Sequence, residues 1–174
     1  MIKEALPKVS RVAILWNPAN QADPRRWRDA QAAARLLGVT LQSVEVRDPK
    51  DFPAAFSAIS RRRPDALITF LSQLTSAYRP IIMEFAAKHR LPTVFDLRAD
   101  VEAGGLLAYS PSLTAAFRGA AGYVDRILKG ARPGDLPIEQ PTKFELIVNL
   151  KTAKALGITL PPSILLRADA VIDR

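Results

Sequence analysis

Polar side chains follow the predicted strands of this 174-residue chain, in positions where they could hold a small charged molecule. In an open α/β sheet, ligands bind beyond the carboxyl ends of the strands, so residues at those ends meet in space. A carboxylate there suits an ammonium group, a guanidinium or an amide suits a carboxylate, and a tyrosine suits an apolar side chain. The set predicts a site for a zwitterion such as an amino acid. The candidate ligand-binding residues are Asn17, Asn20, Ser72, Gln73, Asp96, Arg98, Tyr109 and Ser110.

Each of these residues also has a structural interpretation. Asn17, which precedes a proline, and Asn20 are common turn formers. Asp96 could simply cap the short helix that follows it. We keep both interpretations open for each residue alone, and the convergence of the whole set on one edge of the sheet favours binding.

Groups suited to catalysis are scarce. The chain has one histidine and no cysteine, and His89 falls in the last turn of a predicted helix, where a solvated cation is common. No glycine-rich phosphate loop and no nucleophile elbow occurs, and the spacing of the acidic residues does not suggest a metal site. We therefore predict no catalysis, no cofactor and no metal. The low histidine count also disfavours a sugar-isomerase-like or other α/β enzyme.

Apolar runs alternate with amphipathic stretches, which predicts a doubly wound parallel sheet with right-handed crossovers, in the α/β class. One helix is expected at residues 23–38, opened by Asp23 as the N-cap. Its inward-facing residues are predicted to be Trp27, Ala30, Ala34 and Leu37. Another helix should begin at residue 51, and a single amphipathic helix should cover residues 76–90. The predicted strands are residues 12–16, 39–46, 65–70, 91–95, 105–109 and 144–150.

The pattern changes after Tyr109. Ser112 should cap a long helix ending near Gly130, followed by an irregular, proline-containing crossover at residues 131–141. We therefore divide the chain into an α/β lobe, residues 1–110, and a crossover helix with a C-terminal tail, residues 111–174.

The net charge is +8, with arginines concentrated at residues 25–28 and 61–63. We expect the first cluster in the turn before a helix and the second in the last turn of another, where cations suit the helix dipole. No recognition helix or zinc spacing accompanies them, so no nucleic-acid partner is predicted. No apolar run reaches the roughly 18 residues that a membrane span needs, so no membrane insertion is predicted.

Two sequence blocks carry a family resemblance. RVAILWNPANQ at residues 11–21 and the long block at residues 104–172, which begins GGLLAYSPSLTAAFRG, lie in the same order and spacing as in a known family. They closely resemble the extracytoplasmic substrate-binding proteins of ABC importers, of the tryptophan/tyrosine type. The resemblance implies a periplasmic-binding-protein-like lobe with flavodoxin-like strand order, a small-molecule ligand such as an amino acid, and an ABC permease as partner. It places residues 16–20, 95–98 and 108–111 at the cleft.

Relatives in that family carry a secretion signal and a complete first lobe ahead of the segment that matches residues 11–21. The resemblance thus implies that this chain is the second lobe and tail of a two-lobed protein. The family is extracytoplasmic, and residues 1–11 show no export signal, so a native start at Met1 would place the chain in the cytoplasm. Without the first lobe, the long helix would expose an apolar stripe, which predicts a homodimer. The stripe residues are Phe117, Val124, Ile127 and Leu128.

The alternative is a cytosolic flavodoxin-like or receiver-like module that acts through self-association or a protein partner. A receiver needs a phosphoacceptor aspartate at the end of its third strand, where this chain has Phe70-Leu71-Ser72. A flavodoxin needs a phosphate loop after its first strand, for which residues 17–20 are a poor substitute.

Overall fold

Seven strands form one sheet in the computed structural model, which describes residues 1–173. The strand order is β2-β1-β3-β4-β5-β6-β7, and the first five strands are mutually parallel. This order confirms the predicted doubly wound sheet with flavodoxin-like connections. The strands are β1 (Arg11–Trp16), β2 (Thr40–Glu45), β3 (Ala66–Thr69), β4 (Thr93–Phe95), β5 (Leu107–Pro111), β6 (Phe144–Asn149) and β7 (Ala170–Ile172).

The last two strands depart from the parallel pattern. β6 pairs with β5 in the antiparallel direction, and β7 then runs parallel to β6. The last part of the chain, residues 162–172, forms a short helix followed by β7. The sheet is therefore mostly, and not wholly, parallel.

Nine α-helices connect or cover the strands within residues 1–173. Residues 76–90, predicted as one helix, belong to two, because Pro80 lacks an N–H donor and fits only the first turn of a new helix. The helices are α1 (Ile2–Ala5), α2 (Asp23–Leu37), α3 (Phe52–Arg62), α4 (Gln73–Ala77), α5 (Arg79–Lys88), α6 (Arg98–Glu102), α7 (Leu113–Leu128), α8 (Leu150–Leu156) and α9 (Pro162–Arg167).

Both faces of the sheet are covered. On one face α3 and α5 pack together, and the rings of Phe56 and Phe85 stack with centroids 4.3 Å apart. On the other face α1 and α2 pack over β1, where Trp16 and Trp27 stack at 5.8 Å. Leu37, predicted to face inward, is instead 44% exposed at the last position of α2, where the helix leaves the sheet.

Residues 112–143 form an excursion from the sheet. Ser112 caps α7 as predicted, with its hydroxyl accepting a hydrogen bond from Ala115 N at 3.3 Å. No residue of α7 is buried. The two ends of the excursion meet, because Ser112 N donates to Lys143 O at 2.9 Å beside the first rung of the β5–β6 ladder. The excursion therefore leaves and re-enters the sheet at one point.

Candidate ligand-binding site

An open depression of about 520 Å³ lies at the carboxyl ends of β1 and β3. The loop after β1 forms one wall, and the start of α4 forms the other. Four of the predicted binding residues line it together, so the sheet topology brings these positions to one place. The lining residues are Asn17, Ala19, Asn20, Gln21, Ser72, Gln73 and Leu74.

The two asparagines build the loop after β1. Asn17 Oδ1 accepts a hydrogen bond from Ala19 N at 2.9 Å, and Asn20 Oδ1 accepts one from Ala22 N at 3.3 Å. Asn20 Nδ2 also donates to Leu71 O at 3.3 Å, which ties this loop to the end of β3. Asn17 Nδ2 has no hydrogen-bond partner among residues 1–173. Both residues therefore shape the turn, and the amide nitrogen of Asn17 remains available.

Ser72 and Gln73 differ in availability. Ser72 is buried as the N-cap of α4, where its hydroxyl accepts from Thr75 N at 3.1 Å. Thr75 Oγ1 in turn accepts from Ser72 N at 2.9 Å, which completes a reciprocal cap. Gln73 is exposed in the first turn of α4. Ser72 thus fixes the wall of the depression, and Gln73 presents its amide to the open space.

Asp96, which follows β4, does not line this depression and is already paired. Its Oδ2 accepts from Arg26 Nη2 at 2.6 Å and from Leu71 N at 2.9 Å. The guanidinium of Arg26 also lies over the ring of Phe70, 4.2 Å from the centroid. The sequence placed residues 25–28 in a solvated turn, whereas the structure places them inside α2. The sequence therefore did not predict Arg26 as a residue of this edge, because its side chain crosses the sheet edge only from its place in the first turn of α2.

Asp23 takes a different role from the predicted one. It is the first residue of α2, not its N-cap, and it is fully buried. Its carboxylate accepts from Asn17 N at 3.2 Å and from Asn20 Nδ2 at 3.3 Å, and it lies 3.6 Å from Arg26. Burial raises the pKa of Asp23 above its usual value, although the backbone hydrogen bond from Asn17 and the charge of Arg26 act in the opposite direction. Asp23 therefore anchors the loop from beneath.

A second ion pair supports the loop after β4. Arg79, at the start of α5, pairs with Asp100 of α6, whose side chain is only 7% exposed. Burial raises the pKa of Asp100, and the neighbouring Arg79 partly offsets this effect. The pair holds α5 and α6 together below the site.

The other predicted residues lie outside the depression. Arg98 pairs with Glu102 on the surface of α6 at 2.8 Å. Tyr109 stacks against Phe144 with centroids 5.5 Å apart, and Ser110 is the next residue of β5. Since β5 lies two strands beyond β3 in the sheet, neither Tyr109 nor Ser110 reaches the depression.

Residues 1–173 offer neither a metal site nor a membrane-spanning helix. They contain no cluster of three or more histidine, aspartate or glutamate side chains arranged for a metal ion. His89 is exposed at the end of α5, where its ring packs on Phe85. Within the same residues, every helix is too short or too polar to cross a membrane.

The fold and the loop-lined edge define a periplasmic-binding-protein-like α/β lobe. The family model described as ABC transporter substrate binding protein matches residues 1–172. The chain therefore belongs to this family of substrate-binding proteins, which are in general non-catalytic and typically extracytoplasmic. None of the curated proteins searched matches the chain.

Solved structures share the fold over almost the whole chain. A conserved domain protein from Vibrio cholerae superimposes with a TM-score of 0.87 at 24% identity, covering 98% of this chain and 57% of that one. An ABC domain from Streptococcus pneumoniae in complex with L-Trp gives 0.89 at 23% identity, covering 98% and 58%. A substrate-binding protein with adhesive properties from Clostridium difficile gives 0.74 at 18% identity, covering 99% and 58%. The chain thus spans a little over half of each of these proteins.

Proposed function

We propose that this chain is the second lobe and tail of an ABC importer's solute-binding component, and that it binds an amino acid or a similar small molecule without catalysis. The observation that carries the proposal is the depression at the carboxyl ends of β1 and β3, with Gln73 and the amide nitrogen of Asn17 directed to open space. Amide groups of this kind recognise carboxylates and other polar groups of small zwitterions.

Within the described residues, a carboxylate oxygen is also free at the neighbouring strand end, after β4, outside the depression itself. Only Oδ2 of Asp96 is engaged by Arg26 and Leu71, while Oδ1 accepts no hydrogen bond from residues 1–173. We propose that Asp96 Oδ1 accepts the ligand's ammonium group. An aromatic amino acid is the first candidate, because the related ABC domain from Streptococcus pneumoniae was solved in complex with L-Trp.

The remaining predicted residues require a larger ligand or a second surface. Arg98, Tyr109 and Ser110 lie farther along the same edge, and we propose that they contact ligand only when the cleft is closed by a first lobe. A two-lobed cleft encloses its ligand, so an isolated lobe should bind weakly. We propose an ABC permease as the partner of the two-lobed protein, an extracytoplasmic site of action, and a division of the chain at residues 110–111.

A ligand titration monitored by amide NMR tests the binding proposal. L-tryptophan at up to about 10 mM should shift the amide signals of residues 17–20 and 71–74, with a dissociation constant of about 1 mM or weaker. Gln73→Ala should weaken binding about threefold or more, whereas Gln31→Ala, an exposed glutamine on α2, should not change it. Saturable shifts confined to other regions, or no shift with any of the twenty amino acids, would overturn the proposal.

We also propose a homodimer formed through α7. Phe117 is 74% exposed and Leu128 is 82% exposed, with Val124 and Ile127 on the same helix at 55% and 39%. An apolar stripe of this kind is typical of an interaction surface. A second copy of the chain would cover this stripe.

A further inference from the structure

The amino ends of the parallel strands form a strongly cationic edge, opposite the candidate ligand-binding site. In a doubly wound sheet, each helix returns the chain to this edge, so helix C-termini and strand starts meet there. Hydrogen bonds between the junctions show the alignment: Thr40 N donates to Ser10 O, Asp65 N to Arg11 O and Leu67 N to Pro92 O, each at 2.8 Å. We define the cationic edge as Arg11, Arg35, Arg61, Arg62, Arg63, Lys88 and Arg90, all of them exposed.

The two helices that supply most of these cations are neighbours. The stacked rings of Phe56 and Phe85 hold α3 against α5, and both helices end at this edge, α3 with Arg61 to Arg63 and α5 with Lys88 and Arg90. Arg63 and Arg90 follow these helices in the left-handed conformation, at φ 48° and 49°. Glycine is the usual residue in this conformation at the end of a helix, so backbone preference does not explain why arginine occupies these two positions.

Ion pairing separates this edge from the opposite one. At the carboxyl ends of the strands, Arg26, Arg47 and Arg79 each lie within 4.0 Å of a carboxylate. None of the cations of the cationic edge forms such a pair within residues 1–173. The carboxylate of Asp65 lies among them, accepts hydrogen bonds from Ser10 N and Arg11 N at 2.8 Å, and offsets one of these charges. Seven cations and one carboxylate leave these residues with a strongly positive charge.

We propose that the cationic edge is a docking surface for an anionic lipid bilayer. The cations are spread over the ends of several elements and do not converge on one cavity, which suits a surface of many headgroups more than a single phosphate ion. Each lysine or arginine near an anionic bilayer contributes about fivefold to binding, and the contributions multiply.

Nucleic acid fits the same surface less well. Binding to single strands needs exposed aromatic rings on which bases stack. The ring between Lys88 and Arg90 is the imidazole of His89, which already packs on Phe85 with centroids 4.4 Å apart. Duplex recognition needs an element that enters a groove, whereas helix ends and strand starts form a broad edge here. The lipid surface is therefore the occupant that the observations favour.

Co-sedimentation with vesicles tests the proposal on the chain of residues 1–174. Vesicles of phosphatidylcholine with about 30% phosphatidylglycerol should bind the protein at about 50 mM salt, and pure phosphatidylcholine should not. Raising the salt to about 300 mM should weaken binding at least about tenfold, because screening shortens the range of exposed charges.

Matched variants locate the surface. The triple variant R61Q/R62Q/K88Q should bind about 100-fold more weakly, from three contributions of about fivefold each. The control R28Q/R118Q/R132Q removes the same charge from exposed, unpaired positions elsewhere and should lose less than about fivefold. Circular dichroism should show both variants folded, since the altered side chains make no ion pair within the described residues.

Three results would overturn the proposal: no binding to anionic vesicles at low salt, equal losses in the two triple variants, or tighter binding to a DNA duplex than to the vesicles at equal salt. Since ligand binding is measured at the opposite edge by NMR, failure of either proposal leaves the other intact.

Discussion

Replacing Arg26 with methionine removes the cation that joins three neighbouring strand ends. The guanidinium follows β1 in the chain, contacts Asp96 after β4 at 2.6 Å, and lies over Phe70 at the end of β3, 4.2 Å from the ring centroid. It also lies 3.6 Å from Asp23, a carboxylate with no solvent exposure. Methionine keeps much of the volume and the apolar stem but leaves both carboxylates without their cation.

The magnitude follows from these contacts. Breaking a buried pair costs about 3–5 kcal/mol, but the Arg26 and Asp96 side chains are 34% and 23% exposed, so solvent screening reduces the loss. The contact with Phe70 adds about 0.5–1 kcal/mol. Asp23 keeps its hydrogen bonds from the loop after β1. We therefore expect Arg26→Met to lower the free energy of unfolding by about 2–4 kcal/mol, or the Tm by about 4–16 °C.

Urea unfolding monitored by circular dichroism measures this loss. Arg25→Met is the matched control, because the Arg25 side chain is 83% exposed and its distance to Asp29 is as long as 3.9 Å. Removing this weak pair should lower the free energy of unfolding by less than about 0.5 kcal/mol. Combining Arg26→Met with Asp96→Asn should reveal a coupling of about 1–3 kcal/mol. A loss below about 1 kcal/mol for Arg26→Met, or additive effects in the double variant, would refute the assigned role.

The deficit should also depend on pH. Burial already raises the folded-state pKa of Asp23, so the native protein holds its proton more tightly than the unfolded chain. For such a group, stability falls as pH rises from the unfolded pKa, about 3.9, through the folded pKa. Loss of the Arg26 charge raises the folded pKa further. The deficit of Arg26→Met should therefore be larger at pH 7 than at about pH 4, and a deficit independent of pH would contradict this account.

Three further changes test other parts of the molecule. Asp65→Asn should cost about 1–3 kcal/mol of unfolding free energy at pH 7. Burial alone would raise the Asp65 pKa, but hydrogen bonds lower it overall, so the loss should vanish as pH falls below about 3.9. An equal loss at pH 7 and pH 3 in urea melts would refute this. Gly105→Ala should cost about 1–3 kcal/mol, because its Cβ would lie 2.8 Å from a phenylalanine ring and 2.9 Å from a backbone oxygen. At Gly119 a Cβ would meet nothing within 4 Å, so Gly119→Ala should stabilise α7 by up to about 1 kcal/mol. Equal Tm shifts for the two variants would contradict the packing argument. The Phe117→Glu and Leu128→Glu double variant should be monomeric by light scattering at about 50 μM, where the parent chain should be dimeric, and a monomeric parent would exclude the proposed dimer.

The sequence predicted the parallel part of the fold because local signals agree there. Residues 12–16 of β1 form an uninterrupted apolar run, and a proline and a glycine mark the two ends of α2. The antiparallel direction of β6 could not be predicted in the same way. Strand direction depends on where the excursion returns, and a short strand-like run such as residues 144–149 fits either direction.

The candidate site was predicted only in part. Asn17, Asn20, Ser72 and Gln73 were brought together because sheet topology fixes where strand ends meet. The ion pair between Arg26 and Asp96 was not predicted, since the two residues are 70 positions apart and neither forms a recognisable motif with the other. Pairing between distant charged side chains depends on how far each one extends and on which face of its helix it lies. Composition and periodicity do not contain that information.

Because the two ends of the excursion, residues 112–143, lie next to each other, the excursion is structurally separable from the rest of the lobe. Because Ser112 and Lys143 are hydrogen-bonded neighbours, a short turn could replace everything between them and make β5 and β6 a simple hairpin. None of the residues of α7 contributes to the buried core, so such a shortened chain would keep the sheet and both of its covered faces. The segment is thus a detachable arm, in which sequence change can alter what the lobe associates with while the fold that carries it stays the same.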